Sequence, residues 1–260
     1  RDLHSFPTRR SSDLLPDATF TINFKTEQCN VKTKPVFLYG RYVKDKRGLP
    51  QKEESCRDCM GKGCIFCNNH GIVSFDGVEG KISKFLYEKF RTERVKFTWI
   101  GGEDKTSLVM GNGRPFFAKL LSPKKRNVRL AKKSNLNEIM IHDLRKIDHI
   151  PNGSIQFKSK TKMLVSTKNN LSSNKLKKLK QLTDAPIEIT DSNKQYKKRI
   201  YKLKYKKHSL QSFAVEMEAD GGIPIKWLVN GFSVIPNISS ILNTDCFCEK
   251  FDVDQIYLSK

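Results

Sequence analysis

Two short stretches of this sequence hold residue types that can do chemistry. In the first, Cys56, Cys59, Cys64 and Cys67 form two CxxC pairs separated by four residues. Four thiolates carried on two tight turns can complete a tetrahedral zinc shell. Gly61 and Gly63 let the chain double back between the pairs. Such a site supplies folding energy to a segment like 52–71, which is too short and polar to build a core. The spacing predicts a structural zinc with no open position for catalysis. A redox CxxC, an iron–sulfur centre and plain buried cysteines remain as alternatives. The second stretch, GGEDKTSLVMGNGRPF at 101–116, sets Glu103 and Asp104 side by side among glycines. In a cationic cleft a carboxylate stays ionised and can act as nucleophile or electrostatic partner. By composition alone a solvated acidic turn fits equally well.

The rest of the chain is strongly basic. Its 260 residues carry 49 Lys and Arg against 27 Asp and Glu, a formal charge of +22. That imbalance argues against a small-metabolite enzyme and favours nucleic acid over an anionic membrane. Lysine enrichment from coding bias is the competing source, and the Lys- and Asn-rich run at 166–180 is compatible with it. The charge concentrates at 158–208, where sixteen Lys or Arg face only Asp184, Glu188 and Asp191. No run approaches 18 apolar residues, so no membrane helix is expected. Seven cysteines, an odd number, without a secretory signal point to a reducing, cytoplasmic setting. Residues 1–14 lack an initiator Met and resemble translated sequencing-adapter DNA. They are expected to be a non-native leader in front of a domain spanning 15–260, with the natural start missing.

Hydrophobic periodicity supplies the elements that must position these residues. Alternation predicts strands at 18–25 and 36–43. Val78, Ile82, Phe85, Leu86 and Phe90 make one apolar stripe, predicting a helix over 78–91. A strand is expected to run to Trp99, another at 115–121, and a helix at 135–147. Strands follow at 155–157 and 162–166, then a short basic helix at 171–182. PIEI, RIYKLKY, SFAVEMEA and PIKWLV read as further strands, the last also able to open a helix. On the RIYKLKY strand, Lys202, Lys204 and Lys206 share the face opposite Leu203 and Tyr205. The fold class is α+β, a largely antiparallel sheet with flanking helices and a small four-Cys insertion.

Four blocks in order resemble the archaeal and eukaryotic tRNA pseudouridine synthases that modify the T-loop at positions 54 and 55. They are Gly40-Arg41-Tyr42 with Lys44, Arg47, Pro50 and Gln51; the cysteine insertion; Gly77-Val78-Glu79-Gly80-Lys81-Ile82; and Gly101 through Phe116. Beyond about residue 130 the likeness thins to Pro224-Ile225-Lys226-Trp227-Leu228-Val229. The resemblance implies a pseudouridine synthase-like catalytic core, with Asp104 as catalytic aspartate and Lys226 as its cationic partner. It implies chemistry without metal or organic cofactor, tRNA as partner, no small-molecule substrate and a monomer. RNA contact is assigned to Arg41, Tyr42, Lys44, Arg47 and Arg114, and to Lys197, Lys198, Arg199, Tyr201, Lys202 and Lys204. Tyr196 or Tyr201 is the candidate to stack on the flipped base. Departures are Gly102 for the family's Arg, Thr106 and Leu108 for its second Asp and following Arg, and Pro224 for its Tyr. A non-catalytic tRNA-binding or tRNA-folding module is the alternative function.

Overall fold

The computed structural model describes residues 17–191 and 194–259. The leader expected at 1–14 lies outside the described residues. A hairpin of β1 (Ala18–Asn23) and β2 (Gln28–Thr33) precedes β3 (Val36–Lys44). The cysteine segment follows, then helix α1 (Val78–Phe90), β4 (Arg94–Trp99) and β5 (Val109–Leu121). Next come β6 (Lys133–Asn135), β7 (Ile139–Ile147), β8 (Phe157–Thr167) and α2 (Ser173–Lys177), which runs into a 3-10 turn over Lys178–Thr183. The remainder is β9 (Ile187–Asp191), β10 (Lys194–Lys198), β11 (Ile200–Lys207), β12 (Ser212–Asp220), α3 (Ile225–Asn230), β13 (Val234–Ile235), α4 (Ile238–Leu242) and β14 (Cys246–Leu258).

Nine strands form one sheet in the order β11-β12-β8-β14-β5-β3-β7-β6, with β4 also on β5. Its pairings are antiparallel except for β14 against β5, which is parallel and registered at Val253 and Val109. The expected mixed α+β, largely antiparallel architecture is therefore present. Helix α1 buries Val78, Ile82, Leu86 and Phe90, the stripe read from the sequence, with Phe85 half-buried beside them.

Two expected elements are corrected. The segment 135–147 is not a helix but the β6–β7 pair. Ile139, Ile141 and Leu144 are its buried apolar residues, and Asp143 between them has φ +54. That irregularity shifts the alternation by one residue, and the resulting spacing imitates a helical period. The PIKWLV segment is helix α3 rather than a strand. Pro224 occupies its N-cap, Gly231 ends it at φ +88, and Ile225, Leu228 and Val229 bury one face at helical spacing.

Arg41 joins the two halves of the sheet. From β3 its guanidinium donates to the carbonyls of Asn112 and Gly113 on β5, both at 2.8 Å, and of Ile256 on β14 at 2.9 Å. The guanidinium of Arg41, a residue expected to contact RNA, is thus committed to acceptors within the sheet. Arg41→Ala should cost about 1–3 kcal/mol of stability, since three carbonyls lose a charged donor. Urea denaturation reads the loss, and nucleic-acid affinity of the folded variant should stay within about twofold. A large affinity loss at unchanged stability would restore the contact reading.

Candidate active site and metal centre

The loop carrying Glu103 and Asp104 joins β4 to β5 and has no helix or strand of its own. Buried carbonyls in such a loop need partners, and side chains provide them here. Arg114 on β5 donates from Nη1 to Ile100 O at 2.8 Å and from Nη2 to Gly102 O at 3.1 Å. Gln51 Nε2 reaches Gly101 O at 3.3 Å, and Lys44 Nζ reaches Asp104 O at 3.1 Å. Lys44 and Arg114 converge on Glu103, whose side chain is fully buried. Lys44 Nζ lies 3.1 Å from its Oε1, Arg114 Nε 2.8 Å from its Oε2, and the Tyr42 hydroxyl donates to Oε2 at 3.0 Å. Burial, reinforced by Glu103, holds the Tyr42 phenol well above its usual range, so it remains a donor. Burial pushes the Lys44 ammonium down while Glu103 opposes the fall. Gly101 has φ +73, and an added Cβ would stand 2.7 Å from Arg114 Nη1 and 2.8 Å from the Phe157 ring.

The clamp leaves Asp104 at the edge of a cavity of about 500 Å³. Lys226, on the first turn of α3, places Nζ 2.6 Å from Asp104 Oδ2. This hydrogen-bonded ion pair raises the Lys226 pKa. Among the described residues Asp104 Oδ1 has no hydrogen-bond partner, so one carboxylate oxygen is held and the other is open. Phe157, Trp227 and Phe251 give the cavity aromatic walls, and Ser159 and Thr161 line it from β8. Its volume lies in the roughly 300–1,000 Å³ range of small-ligand sites. Cys248 stands close enough for its thiol to feel both charges, and burial is the main cause that pushes it up to about 11.

The structure brings Asp104 and Lys226 together and turns several of the basic residues inward. Tyr42 and Lys44 are fully buried and Arg114 nearly so. These three residues, expected to contact RNA, hold the loop from inside. Arg47 is committed to a two-pronged ion pair with Asp252 at 2.6 and 2.8 Å. Lys197 pairs with Glu188 and Lys202 with Glu218, both at the surface. Lys204 and Arg199 are exposed, and Lys198 is half-buried. The Tyr201 hydroxyl donates to Asp220, and Lys158 Nζ lies 4.0 Å from the Tyr201 ring centroid. Neither Tyr196 nor Tyr201 lines the Asp104 cavity. Phe157 does, and sequence reasoning missed it because it sits at the edge of an ordinary alternating strand.

The four insertion cysteines gather their Sγ atoms within 4.8 Å of one another. Cys56–Cys64, Cys59–Cys67 and Cys64–Cys67 are 3.9, 3.8 and 3.7 Å apart. Zinc–sulfur bonds of about 2.3 Å in a tetrahedron require sulfurs about 3.8 Å apart, so the donor set fits that ion. The N–H groups of Gly63, Cys64 and Gly71 point at Cys59 and Cys67 sulfurs. Burial pushes the Cys67 thiol up, but N–H donors from Cys64 and Gly71 outweigh it and bring it down to about 6.

A family model described as "Pus10, C-terminal" matches residues 37–257. The chain belongs to this family. A protein named tRNA pseudouridine synthase Pus10 from Nitrosopumilus maritimus is 44% identical over 98% of this chain and 67% of its own length. Namesakes from Cenarchaeum symbiosum and Methanocaldococcus jannaschii are 34% and 31% identical over 94% and 93% of this chain. The chain spans only 61% and 57% of those two relatives. A solved Cbf5-Nop10-Gar1 complex is 9% identical, covering 69% of this chain and 46% of its own, with a TM-score of 0.42. That likeness is too distant to carry a structural argument.

Within this family member, the Glu103 cluster has a measurable cost. Glu103→Gln leaves the Lys44 and Arg114 cations buried against a neutral amide and should destabilise the fold by about 3–5 kcal/mol. Equilibrium unfolding in urea checks it, and a change under about 1 kcal/mol would show that the cluster does not hold the loop.

Proposed function

We propose that this chain is the catalytic part of a tRNA pseudouridine synthase that isomerises a T-loop uridine at position 54, position 55 or both. The observation that carries the reading is Lys226 Nζ at 2.6 Å from Asp104 Oδ2 on the rim of an aromatic-walled cavity, in a chain of the Pus10 C-terminal family. The target uridine leaves its stack and enters the cavity. Asp104 acts through its open oxygen, either by attack on the ribose C1′, making an O–C1′ bond that breaks again when C5 bonds to C1′, or by taking a ribose C2′ proton that is returned to the same carbon as the C5–C1′ bond forms. The N1–C1′ bond breaks, uracil turns within the aromatic walls, and a C5–C1′ bond forms. The C5 proton is lost and N1 gains one, so no atom is added and no redox partner is needed. Lys226 holds the carboxylate in orientation and balances its charge. Residues 15–260 act as one catalytic domain, monomeric and cytoplasmic. Zinc bound by Cys56, Cys59, Cys64 and Cys67 braces the insertion and supplies no step of the isomerisation.

Two experiments test this. Asp104→Asn should lower pseudouridine formation on unmodified tRNA by about 10⁴-fold or more, while tRNA affinity changes by no more than about threefold. A wild type that binds tRNA and makes no pseudouridine would favour the non-catalytic binding module. For the metal, elemental analysis of purified protein should find one zinc per chain. Cys59→Ser should lose it and melt at lower temperature, and a metal-free chain of unchanged stability would refute the brace.

A further inference from the structure

A second cavity, of about 560 Å³, lies beside the first and shares Phe157 and Gly222 with it. The partition is rigid on one side and open on the other. A Cβ added at Gly221 would fall 2.2 Å from the Phe157 ring, and one at Gly101 2.8 Å from it, so the ring is clamped between two glycines. At Gly222 an added Cβ would meet nothing nearer than Lys198 Cε at 4.0 Å. The far walls carry Tyr196, Lys198 and Gln156. Among the described residues, the Lys198 ammonium and the Gln156 amide have no hydrogen-bond or ion-pair partner, in contrast to Lys197, which is paired with Glu188. Tyr196 is half-buried and packs against the core along one side.

An aromatic ring, an unpaired ammonium and a free amide are the groups that take a base, a phosphate and a base edge. Flipping one uridine also removes a stacking partner from its neighbour, and that loss has to be compensated for the strand to stay open. We propose that the second cavity binds the nucleotide next to the target uridine on the same strand. Its base lies against Tyr196, its phosphate is near Lys198, and Phe157 separates the two bases. The inference rests on the pseudouridine synthase reading. It gives the lysine-rich strand β10 one defined subsite in place of a diffuse cationic surface.

The test uses unmodified tRNA transcripts in which the nucleotide immediately 5′ or 3′ of the modified uridine is made abasic, one at a time. For the wild type, one of the two replacements should lower kcat/KM about tenfold or more, mainly through KM. Tyr196→Ala should lower kcat/KM on intact tRNA comparably and show no further loss with the abasic transcript, while Tyr196→Phe behaves as wild type. Lys198→Gln, which leaves the packed aromatic in place, should keep the abasic penalty and reduce the salt dependence of binding by about one counterion. The subsite is refuted by a wild type indifferent to both abasic positions, or by a folded Tyr196→Ala that keeps the full penalty. A wild type that modifies no transcript, intact or abasic, overturns the parent reading, and the subsite falls with it.

Discussion

Glu103 is an acid with no access to water, held between the Lys44 ammonium, the Arg114 guanidinium and the Tyr42 hydroxyl. Removing charges from water is costly, and the attraction offsets that cost only where every donor finds an acceptor. The cations exceed the single carboxylate, and their remaining N–H groups go to the carbonyls of Ile100, Gly102, Leu49 and Asp104. The loop that bears Asp104 therefore takes its shape from buried side chains, not from a helix or strand. The same arrangement leaves Lys226 as the cation facing Asp104 from α3, and it leaves one Asp104 oxygen open to the cavity.

This arrangement changes the meaning of the motif residues. Tyr42 and Lys44 lie on β3, Gln51 follows it and Arg114 lies on β5; in the sequence Tyr42, Lys44 and Arg114 read as groups awaiting a polyanion. They form the inside of one clamp. Arg41 and Arg47 belong to the same scaffold, tying β3 and its following loop to β14 through Ile256 O and Asp252. A surface phosphate contact tolerates small displacements. The buried Arg114 guanidinium, with three fixed acceptors, does not.

The basic stretch at 158–208 is redistributed in a similar way. Across the sheet, Lys202 lies opposite Glu218 and Lys204 opposite Glu216, while β8 sets Lys160 and Lys162 against the same two acids. Lys160 also approaches Asp254 on β14. The acids come from outside the stretch, so its local excess of charge becomes a lattice of alternating signs on one sheet face. Cations without such partners, Lys198 among them, mark where an anion has most to gain.

Much of the molecule was legible beforehand, because periodicity and spacing report local physics. The α1 stripe, the long strands, the cysteine quartet and the Asp104 loop follow from residue types at short separations. The helix expected at 135–147 failed because an irregularity at Asp143 imitates a helical period. The PIKWLV strand failed because a proline cap and an αL glycine outweighed its apolar run. Phe157 was invisible because nothing in its own strand marks it. Sequence alone determined which groups could react and that an acid would sit in a basic chain. Only the tertiary structure decided which cations face outward and which carbonyls need donors. It also decided how Lys226, paired with Asp104 on paper by resemblance alone, reaches it across more than a hundred residues, from the first turn of α3. Burial and long-range pairing are properties of the packed sheet, and no window of sequence contains them.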